Sequence, residues 1–400
     1  MLAIYKFCDR LMRKGVVDMY ISKMAESINA SPTLALDAKF KSLVAAGEDI
    51  IGFAVGEPDF DTPEHIKQAA IDAINSGYTK YTPVAGDMAL RKAVCEWLGM
   101  GYAPAEIVVS NGAKQSILNA LMAVVGSGDE VIVPSPYWVS YPEMVKLVGG
   151  VPKMVEMGED TGYKLTAGML AAAVSERTRA IILNYPSNPL GVTYSAEELR
   201  EIAEFAVKKG IYIISDEIYD KIMFDGVEHI SIASLGEEIK DLSIVVVGVS
   251  KSYSMTGWRI GFTASNAKIA EVMTNIQSHA TSNACSISQK AALAALTGPQ
   301  EPVEEMRKEF EKRRNYLMER LDGMGVPYIK PQGAFYLMVD VRGLMAAGED
   351  VDGFCERLMS EAKLLLVPGS GFGMEGFVRW SFAASVEKIE KGLERLGKMI

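Results

Sequence analysis

Short β-branched runs alternate with amphipathic segments through the middle of the chain. The segment over 196–209 has apolar positions at helical spacing, and Ser195 with Glu198 three residues later forms a capping signal for its start. Such alternation is typical of an α/β fold with a mostly parallel sheet covered on both faces. The predicted strands are 107–109, 131–133, 180–183, 211–214, 243–247 and 259–263.

The pattern changes near residues 298–302, where Gly298, Pro299 and Pro302 cluster. Pro302 can begin a long helix, because its missing N–H would have no partner in the first turn. Strands are predicted at 334–339, 364–367 and 377–381, and helices at 352–362 and 386–399. We therefore expect a second, smaller α+β unit in the C-terminal part of the chain.

Composition and charge argue against several classes of protein. The 400-residue chain has a formal net charge of −10 and no strongly basic run, so we expect no nucleic-acid partner. Its four cysteines are scattered and its three histidines lack metal-ligand spacing, so we expect no metal site and a reducing, cytoplasmic location. No apolar stretch approaches the ~20 residues that span a bilayer, so we expect no membrane partner.

The N-terminal segment is ambiguous. Residues 1–20 carry charges among their apolar residues, whereas a signal peptide needs an uninterrupted apolar core. Two interpretations stay open: a short amphipathic helix that docks on the body, or an extension that precedes a natural start at Met24.

Lys251 is the strongest candidate for chemistry. It follows the apolar run 244–249, and an amine held at the end of a buried strand has a lowered pKa and can act as nucleophile or base. Arg259 follows eight residues later, and its planar guanidinium group suits a phosphate. Asp216 follows another apolar strand. These three residue types are what pyridoxal phosphate needs: a Schiff-base amine, a phosphate clamp and a partner for the pyridine nitrogen.

Further candidates stand at the ends of other predicted strands. Gly112 and Lys114 open a helix, where free N–H groups can bind phosphate. An ordinary strand–turn–helix connection is the better explanation of the segment alone, but Lys114 slightly favours an anionic ligand, because a cation in the first turn opposes the helix dipole. Trp138 can stack on a flat ring or belong to the core. Asn188 can hydrogen-bond a ring oxygen or form a local turn.

Asp216 and Tyr219 lie close together in the sequence, and we expect Tyr219 one helical turn after Asp216. A carboxylate at the end of a buried strand needs a partner, which a protonated pyridine nitrogen would provide. The alternative is that Asp216 caps a helix.

Several segments in this order resemble one known family over nearly the whole chain. They are VGEPDFDTP (55–63), YTPVAG (81–86), SPYW (135–138), NPLG (188–191), SDEIY (215–219), SKSYSMTGWRIG (250–261), GAFY (333–336) and VRWS (378–381). The sequence is similar to the class I/II, fold-type-I pyridoxal-phosphate aminotransferases, and most similar to the Iβ aspartate aminotransferases. The resemblance implies a large domain over 50–298 with a mostly parallel seven-stranded sheet, a small α+β domain from 20–49 and 299–400, and an extension over 1–19.

The resemblance also implies a role for each matching residue at the cofactor. Lys251 would carry the cofactor covalently, Asp216 would pair with its pyridine nitrogen, and Trp138 would stack on its ring. Asn188 and Tyr219 would hydrogen-bond the ring hydroxyl. The remaining cofactor residues implied are Gly112, Ala113, Lys114, Ser250 and Arg259, together with Tyr81 reaching the phosphate from the partner of a homodimer.

At the substrate, the resemblance implies that Arg379 holds the α-carboxylate, helped by Asn188, Trp138 and the Gly56 backbone. Residues matching the binders of an acidic side chain are Ser31, Thr33 and Lys114. They favour aspartate or glutamate as donor and 2-oxoglutarate or oxaloacetate as acceptor, in a ping-pong reaction in which Lys251 transfers the proton. The alternative for Ser31 and Thr33 is a turn beside Pro32.

Other functions stay open on the sequence alone. An aminotransferase of different specificity (alanine, aromatic amino acids or prephenate), a C–S β-lyase or a cyclopropane-forming synthase would use the same cofactor residues. Leu190 and Gly248 depart from the threonine and serine of many relatives, which leaves affinity and specificity open. A transcription regulator with an aminotransferase domain is disfavoured. Such regulators carry an N-terminal DNA-binding domain, whereas here only some thirty residues precede the shared region and the chain is acidic.

Overall fold

The computed structural model of the protein describes residues 21–30 and 32–400. The strands are β1 (Ile51–Gly52), β2 (Ile107–Ser110), β3 (Glu130–Ser135), β4 (Val151–Glu156), β5 (Thr178–Asn184), β6 (Tyr212–Asp216), β7 (Ser243–Gly248), β8 (Gly261–Ala264), β9 (Tyr328–Ile329), β10 (Tyr336–Asp340), β11 (Leu364–Leu365), β12 (Val367–Pro368) and β13 (Phe377–Ser381). The α-helices are α1 (Lys23–Glu26), α2 (Pro32–Ala45), α3 (Glu64–Asn75), α4 (Met88–Leu98), α5 (Ala113–Val124), α6 (Ser140–Leu147), α7 (Ala167–Ala173), α8 (Ala196–Lys209), α9 (Glu237–Leu242), α10 (Ala267–Ala280), α11 (Ser286–Thr297), α12 (Glu301–Met324), α13 (Val351–Glu361) and α14 (Val386–Leu396).

Seven strands form one sheet in the order β2-β8-β7-β6-β5-β3-β4. All pairs are parallel except the two made by β8, which runs antiparallel to β2 and to β7. The predicted α/β fold class is therefore confirmed. The predicted strand at 259–263 begins later, at Gly261, because Arg259 adopts a left-handed conformation with φ +58°.

Alternate residues of these strands pack on opposite faces of the sheet, as the period of two requires. Ile132, Ile181 and Ile213 share a cluster with helix α8, whose Ser195 and Glu198 form the expected capping box. The neighbouring positions 131, 133, 182 and 214 pack against α5, α6 and α10 on the other face. Helices therefore cover both sides, which explains the continuous apolar runs in the sequence.

The strand directions bring the candidate residues to one edge. The parallel strands β3, β5, β6 and β7 all end there, and β2 ends there too because β8 runs antiparallel to both β2 and β7. The segment that precedes β8 lies at the same edge. Ligands of open α/β sheets bind at this carboxyl edge.

A second sheet forms in the C-terminal part of the chain, in the order β12-β13-β10-β9, with all pairs antiparallel. Leu337 and Trp380 point from it into a core with α12 and α14. Tyr336 and Arg379, at alternate positions of β10 and β13, lie on the opposite face. Helix α12 begins at Glu301 with Pro302 in its first turn, as predicted.

The N-terminal described residues associate with this second unit. Strand β1 pairs with β11, and Phe40 of α2 packs in a cluster with Leu365 and Phe372. These contacts support a small domain built from both ends of the chain, and its division at residue 50 stays a proposal. No helix within the described ranges is long and apolar enough to cross a membrane.

Candidate active site

A cavity of about 470 Å³ opens where the carboxyl edge of the large sheet meets the second unit. The segments that follow β2, β3, β5, β6 and β7 line it, together with residues from α2, β10 and β13. The lining residues are Thr33, Lys41, Ala54, Val55, Gly56, Glu57, Ala113, Lys114, Ile117, Trp138, Tyr141, Asn184, Asn188, Asp216, Ile218, Tyr219, Ser250, Lys251, Thr256, Arg259, Tyr336 and Arg379.

Lys251 stands in a turn that follows β7 and projects its amine into the cavity. Its Nζ donates a hydrogen bond of 2.6 Å to the carbonyl of Gly56. Burial lowers the pKa of Lys251 to about 8, and the nearby cations Arg259 and Arg379 act in the same direction against Glu57 and Asp216. A substantial fraction of this amine is therefore neutral near physiological pH, as a nucleophile or base requires.

Asp216 is the last residue of β6 and is buried. Its Oδ2 accepts a 2.7 Å bond from Tyr141 Oη, and its Oδ1 accepts a 3.2 Å bond from the Ile218 N–H. Burial raises the pKa of Asp216 to about 6, although the bond from Tyr141 lowers it. Residues 218–221 form a turn, so the expected helical turn to Tyr219 and the alternative helix cap by Asp216 are both wrong.

The start of α5 packs closely against Arg259. Gly112 has φ +85°, and a Cβ there would lie 2.4 Å from Arg259 Nη2. Likewise, a Cβ on Gly261 would lie 2.2 Å from the backbone N of Ala113. Two glycines thus allow a guanidinium and the free N–H groups of a helix start to face one small volume, which suits a phosphate.

Lys114 and Trp138 form one wall of the cavity. Lys114 Nζ lies 4.6 Å from the centroid of the Trp138 ring, a distance at which a cation is attracted to an aromatic face. Burial and then the charge of Arg259 lower the pKa of Lys114. Trp138 also contacts Tyr141 edge-to-face, with ring centroids 5.3 Å apart.

Arg379 lies on the opposite side and is fully buried except for the cavity. Its Nη1 donates to Asn188 Oδ1 and its Nη2 to the Ala54 carbonyl, both at 2.9 Å. Its Nε is buried without a hydrogen-bond partner among the described residues. A buried guanidinium with an unsatisfied donor at a cavity wall is suited to bind a carboxylate.

Comparison with known proteins fits this geometry. The pattern of the family "Aminotransferase class I and II" matches residues 48–396. The chain belongs to the class I and II aminotransferases. Similar relatives are the aspartate aminotransferase of Geobacillus stearothermophilus, 48% identical with 96% of this chain and 99% of the relative covered, and the probable aspartate/prephenate aminotransferase of Aquifex aeolicus, 44% identical with 97% and 99% covered.

A solved structure similar to this aminotransferase is the aspartate aminotransferase from Thermus thermophilus with maleate. The TM-score is 0.92 at 38% identity, and the match covers 96% of this chain and 100% of the other. The shared fold confirms the expected fold type.

The cavity of this aminotransferase collects most of the residues expected from the sequence. Thr33, Ser250 and Tyr219 line it with those described above, whereas Gly112 is not among the lining residues and lies next to Arg259. Tyr81 does not line it and is 90% exposed. Ser31 lies outside the described residues.

Ten lining residues were not among the candidates, and six of them have polar side chains: Lys41, Glu57, Tyr141, Asn184, Thr256 and Tyr336. Glu57 Oε2 accepts a 2.9 Å bond from Thr256 Oγ1. Tyr141 stands three residues after Trp138, and Tyr336 ends the GAFY segment, so their neighbours in the sequence were signals that could have identified them. Lys41 carries no comparable signal.

Proposed function

We propose that this aminotransferase uses pyridoxal phosphate to move the amino group of L-aspartate or glutamate to 2-oxoglutarate or oxaloacetate, in a ping-pong reaction. The observation that carries the proposal is the placement of the half-buried amine of Lys251 in one cavity with a buried carboxylate, Asp216, and a buried guanidinium, Arg379. A cofactor aldehyde, a pyridine nitrogen and a substrate carboxylate are the respective partners that these groups suit.

The residues present fit the cofactor. The glycine-lined contact of Arg259 with the start of α5 leaves a place for a phosphate, where Gly112, Ala113, Lys114 and Ser250 would assist. Trp138 offers an aromatic face, and Asn188 and Tyr219 offer polar groups for the ring hydroxyl. When bound, pyridoxal phosphate supplies an electron sink that acidifies the Cα–H of an amino acid.

Each catalytic side chain then has a task that follows from its surroundings. Lys251 Nζ, with its pKa lowered to about 8, removes the Cα proton and later returns a proton. Asp216, fixed by Tyr141 and the Ile218 N–H, stabilises positive charge on the ring nitrogen in its ionised form. Arg379, held by Asn188 and Ala54, fixes the α-carboxylate and so directs the Cα–H bond toward Lys251.

The charges of the cavity support an acidic substrate. Its lining contains five cationic and two anionic side chains. The cations are Lys41, Lys114, Lys251, Arg259 and Arg379, and the anions are Glu57 and Asp216. This excess suits a cofactor phosphate together with a dicarboxylate, for which Thr33, Lys114 and Ser31 are the proposed side-chain binders. The names of the relatives, aspartate and aspartate/prephenate aminotransferase, support the same substrate class and make prephenate a second candidate acceptor.

A cytoplasmic homodimer completes the proposal. Tyr81 is 90% exposed, and its segment is fixed from behind, where Gln289 Nε2 donates to Thr82 Oγ1 and Gln277 Nε2 to the Val84 carbonyl. A rigidly held, exposed tyrosine supports a role in contacting the partner's cofactor phosphate. The scattered cysteines of the sequence support the cytoplasmic location.

The test is a half-reaction without any oxo acid. The purified protein with bound pyridoxal phosphate is titrated with L-aspartate, L-alanine, L-phenylalanine or L-cysteine while its visible spectrum is recorded. Conversion to the pyridoxamine phosphate spectrum at the lowest concentration with aspartate supports the proposal. Preferential conversion by alanine or phenylalanine would overturn the dicarboxylate assignment, and release of pyruvate and sulfide from cysteine would indicate a lyase. Lys251→Ala should abolish both the lysine-bound spectrum and turnover, with Lys268→Ala as the surface control.

A further inference from the structure

Tyr336 lines the cavity next to Tyr219 and Arg379. It is the first residue of β10 in the four-stranded sheet, and its side chain is buried at the cavity wall. The Arg379 guanidinium lies 4.4 Å from the centroid of its ring, within cation–π range. The ring also meets that of Tyr219 edge-to-face at 5.9 Å. The Tyr336 side chain therefore contacts both Tyr219, a proposed cofactor-binding residue, and Arg379, which is proposed to bind the substrate carboxylate.

The hydroxyl of Tyr336 has a defined position. Its Oη lies 3.0 Å from Tyr219 Oη, so one of the two hydroxyls donates to the other. On its other side is Gly56, where a Cβ would lie only 2.7 Å from the same Oη. Because Tyr219 follows β6, this hydrogen bond joins the large sheet to the four-stranded sheet.

The proposed task of Tyr219 favours Tyr336 as the donor. Tyr219 has one hydroxyl proton, and if that proton serves the ring oxygen of the cofactor, the Tyr219 oxygen can only accept from Tyr336. Burial raises the pKa of both hydroxyls, so both are protonated at neutral pH, and the pKa of Tyr219 is raised more strongly. The positive charge of Arg379 lowers the pKa of both tyrosines, and its guanidinium lies over the ring of Tyr336. In a pair of neutral hydroxyls, the more acidic one is the better donor.

We propose that Tyr336 is a positioning residue that donates a hydrogen bond to Tyr219 through its hydroxyl and supports Arg379 through its ring. The inference rests on the proposed function, because it concerns the same cofactor and carboxylate sites. With Tyr336 as donor, the hydroxyl of Tyr219 would be able to donate its own proton to the ring oxygen of the cofactor, and successive hydrogen bonds strengthen one another. The ring face acts separately, by holding the guanidinium plane in place for the carboxylate.

Two variants separate these actions. Tyr336→Phe removes the hydroxyl and keeps the ring, whereas Tyr336→Leu removes both. The first readout is the pH at which the visible band of the lysine-bound cofactor changes. A weaker hydrogen bond from Tyr219 would stabilise the deprotonated ring oxygen less and would therefore raise this transition pH. The second is the dissociation constant of maleate, an unreactive dicarboxylate, measured by the same band at a pH below every transition.

We expect Tyr336→Phe to raise the spectral transition by about 0.5–1 pH unit, the effect of one hydrogen bond, and to leave maleate binding within twofold. We expect Tyr336→Leu to raise the transition equally and to weaken maleate binding about fivefold. Tyr328→Phe is the matched control, because Tyr328 lies in the same sheet and its hydroxyl bonds Asp322 at the surface. It should change neither readout.

Tyr219→Phe distinguishes failure of this inference from failure of the proposed function. If Tyr219→Phe raises the transition and Tyr336→Phe does not, the hydroxyl does not act through Tyr219 and the inference is wrong. Equal weakening of maleate binding in both Tyr336 variants would refute the separate action of the ring. If the unaltered protein forms no visible band with pyridoxal phosphate, the proposed function itself fails.

Discussion

Tyr141 donates a hydrogen bond of 2.7 Å to Asp216, and both residues are buried. The same tyrosine lies edge-to-face against Trp138, so the aromatic wall of the cavity and its carboxylate are held by one side chain. The bond counteracts the effect of burial, which would otherwise raise the pKa of Asp216 further. Tyr141 therefore favours the ionised form of Asp216.

Tyr141→Phe removes this bond with little change of shape. The pKa of Asp216 should rise above its value of about 6. When the pH is lowered, the variant should therefore lose the ionised carboxylate, and with it activity, at a higher pH than the unaltered protein does. We expect the acid limb of kcat/KM for aspartate to move upward by about one pH unit. Tyr212→Phe, at the start of the Asp216 strand, is the control. An unchanged acid limb would show that Tyr141 does not set the ionisation of Asp216.

Lys251 should make stability depend on pH in the cofactor-free protein. Its folded pKa of about 8 lies below the unfolded value of 10.5, so the unfolded chain binds more protons between these values. Stability then rises with pH through this window, and the penalty for burying the charged amine is greatest below pH 8. Relative to Lys251→Met, the unaltered protein should gain about 2 kcal/mol between pH 7.5 and 10. Urea unfolding at both pH values measures this gain, and a constant difference would contradict the lowered pKa.

Arg379→Lys keeps the charge but loses the planar fork that contacts Asn188 and Ala54. We expect kcat/KM for aspartate to fall about 100-fold, mainly through KM, because a bidentate carboxylate contact is replaced by a single one. Arg342→Lys, which alters an exposed ion pair with Asp340, should have no effect. Steady-state kinetics measure this change, and a fall in kcat/KM of less than threefold would show that the α-carboxylate binds elsewhere.

Gly261→Ala tests the contact between β8 and the start of α5. The new Cβ would lie 2.2 Å from the Ala113 backbone N, which cannot move without displacing the helix start. We expect the affinity for pyridoxal phosphate to fall at least about tenfold and the Tm of the cofactor-free protein to fall by a few °C. Gly257→Ala is the control, since its Cβ would meet no atom within 4 Å. Equal behaviour of the two variants would show that this close approach does not shape a phosphate site.

Local signals predicted much of the fold. Ser195 with Glu198 marked the start of α8, and Pro302 marked the start of α12, because caps and first-turn prolines act within a few residues. Strand β4 escaped prediction: it lies at the sheet edge and contains Pro152 and charged residues, so it lacks the apolar run of the buried strands.

Some residues of the candidate site could likewise be predicted from the sequence, and others could not. Lys251 and Asp216 could be predicted because they follow apolar strands, where charged residues are conspicuous, whereas Arg379 was predicted only through the resemblance to the family. Tyr141 and Tyr336 escaped, because a tyrosine in an apolar context resembles core, and their contacts with Asp216 and Tyr219 join positions 75 and 117 residues apart. Only the folded chain brings these partners together.

The contact of Gly56 with Tyr336 links two positions in evolution. A Cβ at position 56 would meet Tyr336 Oη at 2.7 Å, but the next atom of that side chain, Cζ, is 3.8 Å away, an ordinary contact distance. Gly56→Ala should therefore be damaging alone and tolerated together with Tyr336→Phe. Among diverging homologues, we therefore expect the hydroxyl to be lost before the glycine is replaced.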